Sequence, residues 1–485
     1  MLSLADAPPA IIAPATASPA PSSPSAPPST STRAPDGPDA EPDPAHQFEA
    51  IMVKARQLDI PPSIKPYRLP NPAAPVQPGV AGSYWPSPHL LSGWLGARSR
   101  LADLGITASV NYVGEVSANL DSGTSRKARY ADQWAFGLKV TTPNILGGPP
   151  ATTQITITHR GGQGINAANG VETLQLPAEI YGRGEIWRLT QASYRAGRGA
   201  FELKLGRIPV GDDFASAGCE FQTLYVCGAT PGQISPDYWH NYPVAPWGVR
   251  FKQSFGKALF AQIGAYQVSA ANIDPLNGFR LGLKGTTGVL VPAEIDWMPK
   301  FRNGLSGIYK IGVWFTSADH ADVVLNTRGQ PVPVDGGTPL IRGGMVGFYA
   351  NMRQQIIKPR KDGSGGLVVF ANAAINDGRT TRLDRKFAMG VIATGLVPGR
   401  RQDEIGLAIG TVHVNSRLTQ GYEQLSTMSS GVEVPRAEIA GELFYGISPL
   451  PGIIIRPNIQ LYHHPGGYAD RKDVVFVGTK TVINF

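Results

Sequence analysis

The stretch that decides the fold reads ITASVNYVGEVS and spans residues 106–117. Apolar and polar side chains alternate along it, with Ile106 and Val110 on one face and Thr107 and Asn111 on the other. Successive side chains of a β-strand point to opposite faces. The alternation therefore predicts a strand with one apolar face and one polar face.

The same alternation recurs as far as the C-terminus, where Val475 and Val477 oppose Lys480 and Asn484. It predicts about sixteen strands in one continuous run, and we find no convincing amphipathic helix between them. Soluble sheets of that size usually have helices between their strands. The predicted strands are 106–117, 132–142, 152–160, 184–195, 201–207, 247–256, 258–268, 288–298, 307–317, 343–353, 366–376, 386–395, 404–415, 436–447, 452–463 and 473–485.

The predicted connections alternate in length. The turns at 196–200, 256–257 and 448–451 are brief, whereas the connection at 208–246 is the longest. Short turns on one side and long loops on the other are typical of outer-membrane barrels. Because lipid cannot hydrogen-bond to the backbone, a sheet in a membrane closes on itself and has an apolar outer face. At about sixteen strands the interior is too wide for side chains to fill, so we expect a water-filled bore. An even strand number places both chain ends on the periplasmic side.

The composition agrees with such a barrel and excludes several other classes of protein. Charged residues make up 16% of the 485 residues, and no apolar run approaches the ~20 residues that a membrane helix needs. The net charge of +8 is not gathered into a basic stripe, which argues against nucleic-acid binding. We find no hydrolase, metalloprotease or nucleotide-binding motif in a fitting context, and we expect neither an enzyme nor a cofactor or metal.

The sequence divides into three parts. Residues 1–45 are rich in Pro, Ala and Ser. This composition predicts a disordered tail, because such a segment cannot bury enough apolar surface to offset the entropy of ordering. Residues 46–90 predict a short helix at 46–59 and a Pro-rich linker, and residues 91–485 predict the all-β, antiparallel transmembrane barrel. The N-terminus lacks the basic and apolar regions of an export signal. We therefore expect a start site upstream or a signal lost from this sequence.

Cys219 and Cys227 are the two cysteines, and they lie in a Gly- and Pro-rich stretch. Without a CxxC motif or a nearby histidine they do not indicate a zinc site. We favour a disulfide that staples the loop, which implies an oxidising compartment. Two free buried thiols are the alternative.

Several stretches, taken in order, resemble the carbohydrate-selective porins of the OprB type, found in Gram-negative outer membranes. The resemblance covers about residues 90–485, and the terminal Phe485 looks like the barrel-assembly signal of such proteins. It implies a passive channel for monosaccharides or small oligosaccharides in the cell outer membrane, with outer-membrane lipid around it. Analogy with other porins adds the expectation of a homotrimer. The matching stretches are LSGWLGARSRLADLGI (91–106), RLTQ and LKLGRIPVGDDFASAGCEFQTLYVCG (within 188–228), GIYKIGVWF (307–315), GLVVFANAAINDGRTTRLDRKFAMGVIATGLVPGRRQDEIGLAIG (366–410), and NIQLYHHPGG with VVFVGTKTVINF (within 458–485).

The resemblance also implies a constriction, because porins of this type commonly fold a long loop into the bore. The candidate is the loop 208–246, which a bond between Cys219 and Cys227 would stiffen as a size filter. The alternative is an external loop that touches no solute. The candidate constriction residues are Asp212, Asp213, Glu220, Asp237, Tyr238, Trp239 and Tyr242.

Strand parity predicts which side chains face the bore, where hydroxyl-binding groups and an aromatic face would select sugars. Trp314 is the predicted stacking platform for a pyranose, because Val313 and Phe315 take the opposite face. The alternative for Trp314 is that it packs under an inward loop, and the alternative for the charged residues is that they pair with one another. The predicted pore-lining residues are Arg160, Glu202, Lys204, Arg250, Lys252, Glu294, Lys310, Trp314, Arg353, Glu438, Glu442 and Arg456.

Two other functions are open from the sequence. The first is a secretion-related or envelope-structural barrel whose Pro-rich tail reaches the cell wall. The second is a soluble β-rich binding protein, which requires apolar residues such as Val110, Ile311 and Val477 to point inward.

Overall fold

The computed structural model describes residues 89–91, 94–120, 125–302, 304–358 and 366–485. The predicted tail at 1–45 and the predicted helix at 46–59 lie outside these residues, as does the linker up to residue 88. Among the described helices, none has both the length and the apolar character needed to cross a bilayer.

Sixteen antiparallel strands form one closed barrel. Each strand pairs with its sequence neighbours and the first pairs with the last, which confirms the predicted fold class and strand order. The strands are β1 (Ile106–Asn119), β2 (Ala128–Thr142), β3 (Ala151–Gly162), β4 (Trp187–Arg198), β5 (Phe201–Arg207), β6 (Trp247–Phe255), β7 (Leu259–Val268), β8 (Gly288–Trp297), β9 (Gly307–Asn326), β10 (Pro339–Ile357), β11 (Gly366–Asn376), β12 (Leu383–Thr394), β13 (Glu404–Val414), β14 (Ala437–Gly446), β15 (Ile453–His463) and β16 (Val474–Asn484).

The strand bounds differ most from the prediction at the hairpin of β9 and β10. β9 continues to Asn326 instead of ending at 317, and β10 begins at Pro339 instead of 343. The extra segment carries Asp319 and Asp322, and its two faces do not alternate between apolar and polar residues. One face of this segment is buried, but it carries Asp322 and Asn326 beside Val324, so the sequence loses the apolar–polar period on which the prediction depends.

Most connections lack regular structure, but several contain short helices, and the helix between β13 and β14 is 13 residues long, although the sequence shows no convincing amphipathic helix between the strands. Asn415 caps this helix, its side chain accepting a hydrogen bond from the Arg417 backbone N–H at 3.0 Å. Only Thr419 and Gly421 are buried, so the helix has no apolar stripe that a sequence pattern could reveal. The helices are α1 (Ala97–Asp103), α2 (Ile165–Asn169), α3 (Val210–Asp213), α4 (Pro231–Ile234), α5 (Val332–Asp335) and α6 (Ser416–Met428), with 3₁₀ turns at Trp94–Gly96, Leu224–Val226, Ala270–Asn272, Pro275–Asn277 and Pro465–Gly467.

Apolar side chains cover the outside of the barrel. On β9, Ile311 is 70% exposed and Phe315 is 47% exposed, whereas Lys310 and Trp314 point inward and are buried. Val110 keeps partial exposure on the outer face. Strand parity thus predicts the direction of the side chains correctly, and the soluble alternative, which needs the opposite orientation, is wrong.

The barrel closes where β1 meets β16, and the two chain ends reinforce that seam. Leu90 N donates to Asn484 O at 2.7 Å, and Phe485 N donates to Val110 O at 3.0 Å. The guanidinium of Arg98 donates to Phe485 O at 2.5 Å. No backbone edge is therefore left open to lipid along the described seam, as a membrane sheet requires.

The orientation of Ile311 gives a direct test of the membrane-facing surface. Ile311→Arg should lower the free energy of unfolding in lipid vesicles by about 2–4 kcal/mol, because it places a charge in the apolar band. The matched control is Met428→Arg at the end of helix α6 between β13 and β14, where the side chain is already 68% exposed. Equal unfolding curves for the two variants in urea titrations would contradict a lipid-facing position for Ile311.

Candidate functional site: the narrowed lumen

The long loop 208–246 runs inside the barrel. Ala215 N in this loop donates to the Glu294 carboxylate on β8 at 2.6 Å. Asn351 on β10 donates its side-chain N–H to Ala215 O, also at 2.6 Å. These contacts place the loop inside the barrel, so the alternative of an external loop is wrong.

Two carboxylates on β14 hold the middle of this loop. Glu442 accepts hydrogen bonds from the backbone N–H groups of Thr223 at 2.7 Å and Gln222 at 2.9 Å. Glu438 accepts from the Tyr225 hydroxyl at 2.8 Å. Both carboxylates point inward, as parity predicts, and both anchor the loop.

A second loop, 163–186, also enters the lumen, which sequence reasoning missed. Leu174 N donates to the Glu438 carboxylate at 2.9 Å. Glu179 N donates to Gln222 O at 3.0 Å and so joins the two loops. Nothing in the sequence of this loop has a period that indicates its path, and its length is the only signal that could have drawn attention to it.

Aromatic side chains pack the first loop against the wall. Trp314 faces inward as predicted but is fully buried beneath Tyr238 and Trp239, with ring-centroid distances of 6.5 Å and 6.2 Å. The prediction of Trp314 as a pore-lining platform is therefore wrong, and packing under an inward loop is the correct alternative. Trp239, a predicted residue of the constriction loop, is also fully buried and packs against Trp314 instead of facing solute. Burying these large rings stabilises the loop inside the barrel.

Most of the predicted wall charges are occupied by ion pairs. Lys204 Nζ lies 2.9 Å from the Asp213 carboxylate. Arg353 lies 2.8 Å from Glu220. Two predicted constriction acids, Asp213 and Glu220, therefore fix the loop to the wall. This favours the pairing alternative, since a charge in a narrow protein interior needs a partner. The other pairs are Arg250–Glu202, Arg250–Asp213 at 3.5 Å, Lys252–Glu202 at 3.7 Å, Lys310–Asp296 at 3.9 Å and Arg456–Glu404 at 2.5 Å.

A cavity remains between the loop 208–246 and the inner wall formed by β1, β2, β3 and β16. Its water-accessible volume is about 120 Å³. Of the predicted residues, Arg160, Asp212 and Tyr242 line it together with the two cysteines. The sequence predicts no role for the other lining residues, which lie on strands β1, β2 and β16 and on the two loops. They are Val113, Gln133, Glu179, Gly211, Ser216, Ala217, Gly228, Ala229, Asn241 and Lys480.

A disulfide joins Cys219 and Cys227 at the edge of this cavity. Lys480 Nζ lies 3.5 Å from Cys219 Sγ and 2.9 Å from a Glu179 carboxylate oxygen. A carboxylate oxygen of Glu179 and the two sulfur atoms all lie within 4.8 Å of one another. While the sulfurs are bonded to each other, they are not available as thiolate ligands to a metal.

The predicted acids of the loop do not form one cluster. Asp212 lies at the cavity, where burial raises the pKa of its carboxyl to about 7, although the Lys204 ammonium opposes that rise. Asp237 lies elsewhere, 3.6 Å from His320 Nε2, and this contact with the imidazole lowers the pKa of Asp237. Asp212 is thus the predicted loop acid that can change the charge of the cavity near neutral pH.

The anchoring role of Glu442 can be tested by removing its carboxylate. Glu442→Ala leaves the buried N–H groups of Gln222 and Thr223 without an acceptor, at a cost of about 1–3 kcal/mol for each donor. We expect noisier single-channel currents and a higher mean conductance, because the loop moves away from the wall. Glu423→Ala on helix α6 is the control, and currents of Glu442→Ala as quiet as those of the unmodified protein would contradict the anchor.

The charge of Asp212 predicts a pH dependence of ion selectivity. Its carboxyl has a raised pKa of about 7, so the group is mainly neutral at pH 6 and mainly ionised at pH 8. The cation-to-anion permeability ratio, measured from reversal potentials in a salt gradient, should rise between these pH values. Asp212→Asn should remove most of that rise, and an unchanged pH profile in this variant would assign the effect to another group.

Comparisons with known proteins agree with this architecture. A sequence profile described as "Carbohydrate-selective porin, OprB family" matches residues 125–485. Porin B of Pseudomonas aeruginosa is 33% identical over 415 residues, which cover 81% of this chain and 90% of that protein. The high-pH structure of Pseudomonas putida OprB matches with a TM-score of 0.78 and 32% identity, over 82% of this chain and 99% of that chain. The low-pH structure of the same protein, with a TM-score of 0.52 and 23% identity over 82% of this chain and 99% of that one, supports the fold alone.

Proposed function

The chain belongs to the OprB family of carbohydrate-selective porins, and from that membership and the geometry of the narrowed lumen we propose that it passes monosaccharides and small oligosaccharides by passive diffusion. The protein is a carbohydrate porin of the outer membrane. The proposal concerns the size of the sugar and the groups that contact it.

The observation that carries the proposal is the polar lining of the cavity. Gln133, Asp212 and Tyr242 reach it from the wall and from the loop, and they offer both donors and acceptors. Sugar hydroxyls need both kinds of partner, because each hydroxyl donates once and accepts up to twice. Val113 contributes an apolar surface for the C–H side of a pyranose ring.

Arg160 is the predicted wall residue best placed to contact a sugar. It lines the cavity, and its Nε donates to the Gln133 side-chain oxygen at 2.8 Å. That bond orients the Gln133 amide and leaves its N–H groups as donors towards the cavity. The ion-paired wall residues support the loop behind this surface.

Passive transport follows from the same geometry. Arg160 fixes the Gln133 amide, and contacts of Ala215 with Glu294 and Asn351 fix the loop to the wall, so a sugar exchanges its water partners for protein partners without a change of fold. Conduction needs contacts that are favourable enough to admit the sugar and weak enough to release it. We expect outer-membrane lipid around the apolar band, and association into a homotrimer stays a prediction.

The experiment that tests the proposal is a size series in proteoliposomes. Initial swelling rates should fall steeply from glucose to maltose to maltotriose, because the cavity admits one sugar ring more easily than an oligomer. Gln133→Ala should raise the maltotriose-to-glucose rate ratio, since it shortens a side chain at the cavity.

Gln424→Ala, an exposed position on α6, is the matched control and should keep the original ratio. Equal rates for all three sugars in the unmodified protein would contradict selection at this cavity. An absence of glucose entry in protein that conducts ions would overturn the proposed sugar pathway.

A further inference from the structure

The loop segment between the two cysteines is held by hydrogen bonds that do not involve the disulfide. Thr223 N donates to the Glu442 carboxylate at 2.7 Å in the middle of the segment. At its base, Gly228 N donates to Gly218 O at 2.9 Å. These contacts do not involve sulfur, so we expect the segment to hold its path when the disulfide is reduced.

The sulfurs and a carboxylate converge on the cavity from two different loops. Glu179, Cys219 and Cys227 all line it, and one potential ligand atom from each lies within 4.8 Å of the others. The backbone of Glu179 is fixed to the cysteine loop, since Glu179 N donates to Gln222 O at 3.0 Å. The three groups therefore stay together independently of the sulfur–sulfur bond.

We propose that reduction of this disulfide creates a binding site for a soft divalent cation such as Cd²⁺ or Zn²⁺, with the Cys219 and Cys227 thiolates and the Glu179 carboxylate as ligands. Two sulfurs and one oxygen form a donor set that suits tetrahedral Zn²⁺ or Cd²⁺, with water at the fourth position. Mg²⁺ and Ca²⁺ prefer oxygen ligands alone and should not compete. A bound cation would occupy the cavity, and this consequence for transport rests on the proposed function.

Lys480 is the group that would have to yield to the cation. Its ammonium lies 2.9 Å from Glu179 and 3.4 Å from Glu115. When a cation takes a Glu179 oxygen, Lys480 keeps Glu115 as a partner, and the other Glu179 oxygen stays available to it. The site can therefore form without leaving a buried ammonium unpaired.

The chemistry requires an external reductant. A water-soluble trialkylphosphine attacks one sulfur and the sulfur–sulfur bond breaks, so that the disulfide gains two electrons. Phosphorus is oxidised to the phosphine oxide with oxygen from water, and the two protons of that water end on the two thiols. Binding of the divalent cation then replaces these two protons, which pass to the buffer.

The test uses the full chain, with and without phosphine treatment, and CdCl₂ as the probe. One readout is the ultraviolet charge-transfer absorption of cadmium–thiolate bonds in detergent, and the other is channel conductance and glucose swelling in lipid. After reduction we expect the absorption band and a loss of most of the conductance, both reversed by a chelator. Oxidised protein with CdCl₂ should show neither the absorption band nor the loss of conductance. Reduced protein with excess Mg²⁺ in place of Cd²⁺ should also show neither.

Variants separate the proposed site from other metal effects. Cys219→Ser together with Cys227→Ser should abolish the absorption and the block, and heat-modified gel mobility verifies that the barrel is folded. Glu179→Gln should raise the Cd²⁺ concentration for half-block at least roughly tenfold, because losing a ligand costs no less affinity than losing a hydrogen-bonding partner of a ligand. Glu185→Gln, an exposed acid in the same loop, should leave it unchanged.

The outcomes distinguish this proposal from the proposed sugar pathway. The metal site is overturned if reduced protein shows no cadmium–thiolate band, if oxidised protein is blocked equally, or if Glu179→Gln binds Cd²⁺ as well as the unmodified chain. Failure of glucose to enter through untreated protein would instead overturn the sugar pathway, because the absorption measurement does not depend on sugar transport.

Discussion

The pairing of β1 with β16 is the constraint on which the rest of the molecule depends. Inside a bilayer no water can satisfy a free strand edge, so the sheet has to close. Closure fixes which side of every strand meets lipid, and the residues on the outer side are consequently apolar, as at Ile311 and Phe315. The inner face is then free to carry the charged and amide side chains that hold the loops.

A barrel of sixteen strands is too wide to be filled by wall side chains, and the two inward loops solve that problem. Glu438 and Glu442 bind loop backbone, whereas Trp239 packs on Trp314. Carboxylates and rings on the wall thus act mainly as anchors. A small cavity lies beside β1–β3 and β16, and we propose that the sugar contacts the side chains that line it.

The sequence predicted the strands well because alternation is a local property that each segment carries by itself. It also predicted that Arg160, Lys204 and Glu442 point inward. It could not predict which part of the inner wall stays uncovered, because that depends on the paths of loops that have no period. Trp314 illustrates the limit, since parity gives its direction but not the loop that buries it.

Cysteine accessibility is the most direct test of the proposal that sugar passes beside β2 rather than beside β13. In a background without the native cysteines, Gln133→Cys should react with a charged thiol reagent added in solution, and the reaction should reduce the channel current. Ala408→Cys, at an inward position of β13 that is buried in the structure, should react far more slowly and leave the current unchanged. Fast reaction and block at Ala408→Cys, with none at Gln133→Cys, would contradict the account.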